Sequence, residues 1–515
     1  MTVSAPKTPI KNSPNVIMNK NNPANNQKDL LSGAGANLFG FVIRLGARLP
    51  FLLVVALLYG TEIFGKYLLA VTIVETLTAM ILFGFKRSIF HFLYDDMDNG
   101  NMSGLLNSIM TAMFLCIVIA AIILIPIYVW QDFLFSFFPD GMAKGILIIL
   151  PAAFVYALTE MLLTATRAAR KMRYEVTAKS IIEPYVLLAF SAGFYALNMV
   201  ESGLFIAYWV MNISIFIYAI YAFGKTYDTA AYNWGRLSWA KIKSMISFSA
   251  PTAAYDLIGV IILRIDIYLL AAIVSPSALG VYGIALQIMT IIKKIRQSFD
   301  PILEPVISQT LKQSKLGNVN EELSRVSYWI FSIQALIFTL LIFYGAGLLG
   351  LFNIAGGNAS LTLLFLIGAV MIQGSFGLSE LLFIYKKPNV NLILSLVILL
   401  FHASLCYFLS LKFGILGAAI SLVVSYSFTE IIRLSLAKYF FGAIPLNRTI
   451  LKPVLMATVL YAYLFSLSSF IGLYSAAGLV LGIIGGIFVY FLTFLIIAQK
   501  EERFILMKKI RFKRF

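Results

Sequence analysis

The sequence predicts an all-α polytopic membrane protein: about fourteen transmembrane helices, forming two six-helix pseudo-symmetric lobes plus two C-terminal helices. Three observations predict it. Hydrophobic residues make up 60% of the 515 and charged residues only 12%, with a mean hydropathy of +0.89. Soluble domains run at ~45–50% apolar and ~25% charged, so a soluble chain of this length could not cover its surface with so few charges. Apolar stretches of spanning length, ~20 residues each, recur between short polar connections. The cations also alternate from one connection to the next, as the positive-inside rule requires.

Residues 1–32 are rich in Asn, Pro and Lys, with no apolar core after a basic start. They read as a disordered cytoplasmic tail rather than a cleavable signal. An N-lobe over 33–224 holds apolar stretches at 33–59, 64–86, 103–130, 143–166, 178–199 and 203–224. A cytoplasmic linker at 225–247 leads to a C-lobe over 248–440, with stretches at 248–274, 279–299, 326–351, 359–384, 390–411 and 414–438. Two further stretches, 453–473 and 476–498, occupy 441–498, and a basic cytoplasmic tail fills 499–515. With both ends placed inside, the outer connections hold only Lys66, Lys144 and Lys412. The inner ones hold Lys86, Arg87, Arg167, Arg170, Lys171, Arg173, Lys386, Lys387 and many more. One missed span would scramble that alternation.

The formal charge of +17 is spread between apolar stretches, and no compact basic domain exists to bind nucleic acid. Cys116 and Cys406 stand alone inside apolar runs, so no disulfide framework is expected. His91 and His402 are too far apart in sequence for a zinc spacing. Gly224-Lys225-Thr226 lacks the first glycine of a phosphate loop, since Ala219 takes that place, and it follows a membrane stretch rather than a strand. No nucleophile elbow occurs either. No cofactor is therefore expected, and the chain reads as a gradient-driven transporter rather than an enzyme.

An internal repeat organises the chain. Gly65, Tyr67 and Ala70 stand 215 residues before Gly280, Tyr282 and Ala285, and the same offset separates Lys171 from Lys386. A looser copy lies at 413–421, FGILGAAIS, with Gly414 and Ala419 at the Gly65–Ala70 spacing. An even number of spans separates the first two copies, so the halves share an orientation. That predicts a pseudo-two-fold axis along the membrane normal, with the transport path between the lobes. Gly478, Gly482 and Gly486 form a small-residue face for helix packing.

These features resemble the polysaccharide transporter family of the multidrug/oligosaccharidyl-lipid/polysaccharide (MOP) flippase superfamily. The resemblance rests on Phe64-Gly65-Lys66-Tyr67 with Ala70, Leu279-Gly280-Val281-Tyr282 with Ala285, and Phe248-Ser249-Ala250-Pro251 with Asp266. It also rests on the basic turn TRAARKMRYEV at 166–176 and on FGILGAAIS. It spans roughly residues 33–440 and implies two six-helix lobes around a central cavity. It further implies translocation of polyprenyl-diphosphate-linked oligosaccharide across the bacterial cytoplasmic (inner) membrane, among membrane lipids and alongside polysaccharide-assembly proteins. Other readings stay open: a cation-coupled multidrug exporter, a peptidoglycan-precursor (lipid II) flippase, and, in another class, a membrane glycosyltransferase or polymerase.

Ionisable residues inside spans are rare and usually functional. Arg44 and Arg48 share a face of the first span, and Arg264 of the seventh falls within one position of Arg48 at the repeat offset. Arginine binds phosphate oxygens bidentately and keeps its charge, which suits a lipid diphosphate. Lys293, Lys294 and Arg296, with Asp300 on the face of Lys293 and Arg296, are expected to extend that cavity. Arg264 is alternatively satisfied along its own helix by Asp256 or Asp266. Glu75, Asp256, Asp266 and Glu380 are candidates for binding a coupling proton or sodium ion. Glu160, Glu183 and Glu430 also lie near spans.

Overall fold

The computed structural model describes residues 43–98, 101–136, 143–227, 238–299, 303, 316–442 and 448–497. The expected tails 1–32 and 499–515 lie outside the described residues, as do Asp300 and residues 228–237 of the linker. Among the described residues every regular element is helical, and no strand occurs. Such a chain satisfies its backbone groups within each segment, as hydrocarbon demands.

The N-lobe helices are α1 (43–54, running into a π turn at Val55–Tyr59), α2 (Gly60–Leu82), α3 (Phe85–Asp98), α4 (Met102–Val129), α5 (Ala152–Ala168), α6 (Glu183–Ala196) and α7 (Gly203–Thr226). The C-lobe follows with α8 (Trp239–Ile273), α9 (Pro276–Gln297), α10 (Leu316–Gly350), α11 (Gly357–Phe376), α12 (Pro388–Phe413) and α13 (Ile415–Phe441). The last pair comprises α14 (Leu451–Phe470) and α15 (Gly486–Ile497).

Eleven helical runs among the described residues are long and apolar enough to span a bilayer, rather than fourteen. The difference has a physical origin. The run Ile43–Tyr94 joins the described part of the first expected stretch, from residue 43, to the whole of the second. Those two are joined by Gly60, whose φ of 80° glycine adopts without strain. The fifth and seventh stretches are helical as α6 and α8, but α6 proper has only 14 residues and α8 carries Asp256, Arg264 and Asp266 within its apolar part. Two local features were not anticipated. Phe83 and Gly84, both at positive φ, end α2 and start the amphipathic α3. Helix α8 also begins at Trp239, inside the expected linker. The resemblance motif Phe248–Pro251 therefore lies within a helix rather than opening one.

Caps fix the remaining ends. Asn101 and Ser275 accept from the backbone N–H three residues on, and Gly414 and Gly442 end their turns at positive φ. The largest apolar core runs through both lobes along α2, α5, α8, α9 and α11, and a separate cluster joins α14 and α15 to α10. Gly482 makes room there for Tyr344, whose hydroxyl donates to the Gly478 carbonyl at 2.9 Å. That is the packing role expected of the glycine face.

Candidate functional site

The seam between the lobes positions the site. Near one end of the seam, the outer end under the expected topology, α2 and α9 meet backbone to backbone. A Cβ on Gly65 would lie 1.8 Å from the Pro276 carbonyl oxygen, and one on Gly280 would lie 1.9 Å from that of Thr61. Pro276 follows Thr61 by the repeat offset of 215 residues, so the contact is reciprocal between equivalent positions. Self-complementary contacts of this kind lie on a two-fold axis. Thr61 and Ser277 share a hydrogen bond beside it at 2.7 Å. The repeat glycines thus mark the pseudo-axis itself.

Toward mid-depth the interface becomes polar. Each lobe sends an arginine from its first helix to the second helix of the other. Arg48 on α1 donates through Nε to Gln287 Oε1 on α9 at 3.0 Å, and through Nη2 to the same oxygen. Arg264 on α8 forms an ion pair with Glu75 on α2 at 2.7 Å. The alternative partners on α8 are otherwise engaged. Asp256 pairs with Arg87 at 3.2 Å, and Asp266 accepts from the Tyr282 hydroxyl at 2.6 Å and the Ile267 N–H at 2.9 Å. The alternative that Arg264 is satisfied along its own helix is thereby corrected. Position 264 faces α2 across the seam.

A cavity of about 460 Å³ opens around these arginines. Arg44, Arg48, Arg264, Lys293 and Lys294 line it, against two carboxylates, Glu75 and Glu183. Neutral groups hold three of the cations: Gln287 for Arg48, Ser180 for Arg44 at 3.1 Å, and Gln297 for Lys294. Arg44 Nε and Glu183 Oε2 are buried without hydrogen-bond partners. Positive charge held by neutral donors and acceptors, in a low-dielectric cleft, is the electrostatic form of an anion site.

A second cavity, of about 820 Å³, lies across α2 and α8 from the first, and Glu75, Tyr156 and Leu263 line both. Its charges compensate one another. Glu160, 3% exposed, sits between Lys86 at 2.6 Å and Lys179. Arg433 bonds Glu430 at 2.8 Å and approaches Glu380 at 3.7 Å.

Arg296 does not join Lys293 and Lys294 in the cationic cavity. Its guanidinium turns into the C-lobe, 3.9 Å from Glu380, which corrects the expectation that it extends that cavity. Among the four coupling candidates, Glu75, Asp256 and Glu380 are ion-paired, whereas Asp266, 6% exposed, meets only hydrogen-bond donors. Sequence reasoning missed Gln287 and Tyr156. Gln287 was findable: Gln287, Thr290, Lys294 and Gln297 form a polar stripe at helical spacing along α9. Among the described residues no group of three or more His, Cys, Asp or Glu could hold a metal.

The family model described as polysaccharide biosynthesis protein matches residues 54–352, more than half of the chain. The chain belongs to this polysaccharide biosynthesis protein family. No curated protein matches it in sequence. Among solved structures, the family member is similar to the lipid II flippase MurJ in an inward closed conformation, with a TM-score of 0.73 at 15% identity over 88% of this chain and 98% of that one. An inward-facing MATE family multidrug resistance transporter of the MOP superfamily gives 0.64 at 13% over 78% and 98%. A MOP superfamily transporter from Pyrococcus furiosus gives 0.55 at 13% over 82% and 97%. The chain therefore has the MOP fold.

Proposed function

We propose that this membrane protein is a flippase that moves polyprenyl-diphosphate-linked oligosaccharide from the cytoplasmic to the outer leaflet of the bacterial cytoplasmic membrane by alternating access, with both termini cytoplasmic. One observation carries the reading: the cationic cavity sits on the seam between the lobes, and two of its three arginines, Arg44 and Arg48, rest on neutral partners. Arg48 and Arg264 would clamp the diphosphate by bidentate hydrogen bonds, while Lys293 and Lys294 add charge beside them. The membership in a polysaccharide biosynthesis family supports an oligosaccharide cargo, and the MOP fold supports rocking of the two lobes about the seam. The balance of five cations against two carboxylates disfavours the cationic drugs of a multidrug exporter.

For coupling, Asp266 is the strongest of the four candidates. It is the one of the four that meets hydrogen-bond donors but no cation among the described residues, and a carboxyl buried in a span is a candidate site for a coupling ion. Proteins of polysaccharide assembly are the partners this role implies.

The test is complementation of a deletion strain. Arg48→Ala and Arg264→Ala should each fail to restore surface polysaccharide at unchanged membrane levels of the protein. Normal polysaccharide in both strains would overturn the reading.

A further inference from the structure

We propose that Glu75 is a stand-in for the ligand's phosphate: it neutralises Arg264 while the cationic cavity is empty, and an entering diphosphate displaces it, which releases the α2–α8 ion pair and joins the two cavities. The inference rests on the diphosphate reading above and adds a resident competitor and a consequence of its displacement.

Three observations carry it. The two repeat-related arginines have unlike partners. Arg48 rests on the neutral Gln287, whereas Arg264 is held by a carboxylate at 2.7 Å. One arginine is thus free to receive an anion at once, and the other only by exchange. Next, the pair lies in the partition, since Glu75 lines both cavities together with Tyr156 and Leu263. Finally, the pair is less secured than the buried Glu160 contacts in the wall of the larger cavity. Glu160 is gripped by two lysines and buried, while the Glu75 and Arg264 side chains keep 38% and 34% of their surface. An ion pair that is about a third exposed contributes little to stability, because solvent screens it. A diphosphate brings more charge than a carboxylate and more oxygens for two guanidinium forks, so the exchange is favoured. Arg264 keeps a counter-ion throughout, and Glu75 swings to the wall of the larger cavity. There the wall between the cavities loses the only ion pair seen across it, Glu75 with Arg264, among the described residues.

The experiment measures binding of farnesyl diphosphate to the full chain in lipid nanodiscs, for the wild type, Glu75→Gln, Glu75→Asp and Arg48→Ala. Removing the competitor should tighten Glu75→Gln about five- to tenfold, the equivalent of the pair it no longer has to break. Glu75→Asp, which keeps the charge with a shorter reach, should fall between, and it decides the question if the glutamine variant does not fold. Translocation by Glu75→Gln should slow although its binding improves, which a merely structural ion pair would not produce. Arg48→Ala should weaken binding in either background. If the wild type binds and both Glu75 variants bind equally or more weakly, the stand-in role is wrong while the diphosphate reading stands. If neither the wild type nor the variants bind, both fall. Inorganic pyrophosphate run in parallel separates the sources: tighter binding of the farnesyl compound assigns the site to a lipid-linked diphosphate. Equal binding assigns it to the free anion, with the role of Glu75 retained.

Discussion

Arg48 costs the fold energy that a leucine would not. A guanidinium at the centre of a spanning helix is unfavourable by ~2.5–3.5 kcal/mol on insertion scales. Its hydrogen bonds to Gln287 offset part of this, since such bonds to a charged group contribute ~1.5–3 kcal/mol. Gln287→Leu should therefore lower the unfolding temperature and free Arg48 at the same time. Gln287→Glu should place a second carboxylate opposite the ligand and weaken diphosphate binding, readable by titration. Glu160 has the opposite role. With Lys86 and Lys179 on either side, Glu160→Gln leaves two ammonium groups with no carboxylate between them, only the new amide and, for Lys179, the Tyr156 hydroxyl at 3.1 Å. Breaking a buried pair of this kind costs about 3 kcal/mol or more. A marked loss of thermal stability without a change in farnesyl diphosphate affinity is expected, because Glu160 does not line the smaller cavity. At this scale the sequence exposed the arginines, since a charge inside an apolar run stands out in one dimension. It did not expose their partners. Glu75 and Gln287 lie across the seam, on helices of the opposite lobe, and only the packing of α2 against α8 and of α1 against α9 brings them together. The same holds for Arg296. It shares a face with Lys293 on a helical wheel, yet the neighbouring C-lobe helices offer Glu380 and draw it out of the cavity.

The reciprocal glycine contact governs the pairing of α2 with α9. A methyl group at Gly65 or Gly280 collides with a carbonyl oxygen on the facing helix, and overpacking of this sort costs ~1–3 kcal/mol. Gly65→Ala and Gly280→Ala should each bias the protein against the conformation described here. Faster labelling of a cysteine at Thr61 by a membrane-impermeant reagent would show it. Cysteines at Thr61 and Ser277 together, whose native hydroxyls lie 2.7 Å apart, should cross-link and arrest transport until reductant is added. These elements were legible beforehand, because a repeat offset is a property of the sequence. The break at Phe83–Gly84 and the amphipathic α3 were not. Both depend on Gly84 lying against Ser249 and Ala253 of α8, a contact between residues far apart in the chain.

Across the whole molecule, charge divides the seam into two chambers, one net positive and one balanced, with Glu75, Tyr156 and Leu263 between them. Composition announced a membrane protein, and the repeat announced two lobes. The split into chambers follows from three-dimensional pairing that no linear pattern records. If Asp266 couples transport to a gradient, Asp266→Asn should still bind ligand but no longer respond to an imposed proton or sodium gradient, as followed in proteoliposomes. The most direct test of the central claim uses the same proteoliposomes, loaded with a fluorescent polyprenyl-diphosphate-linked oligosaccharide and an impermeant quencher. The wild type should move the lipid between leaflets, and Arg48→Ala, folded and correctly inserted, should not. Equal transfer by both proteins would contradict a cationic seam as the carrier of the diphosphate.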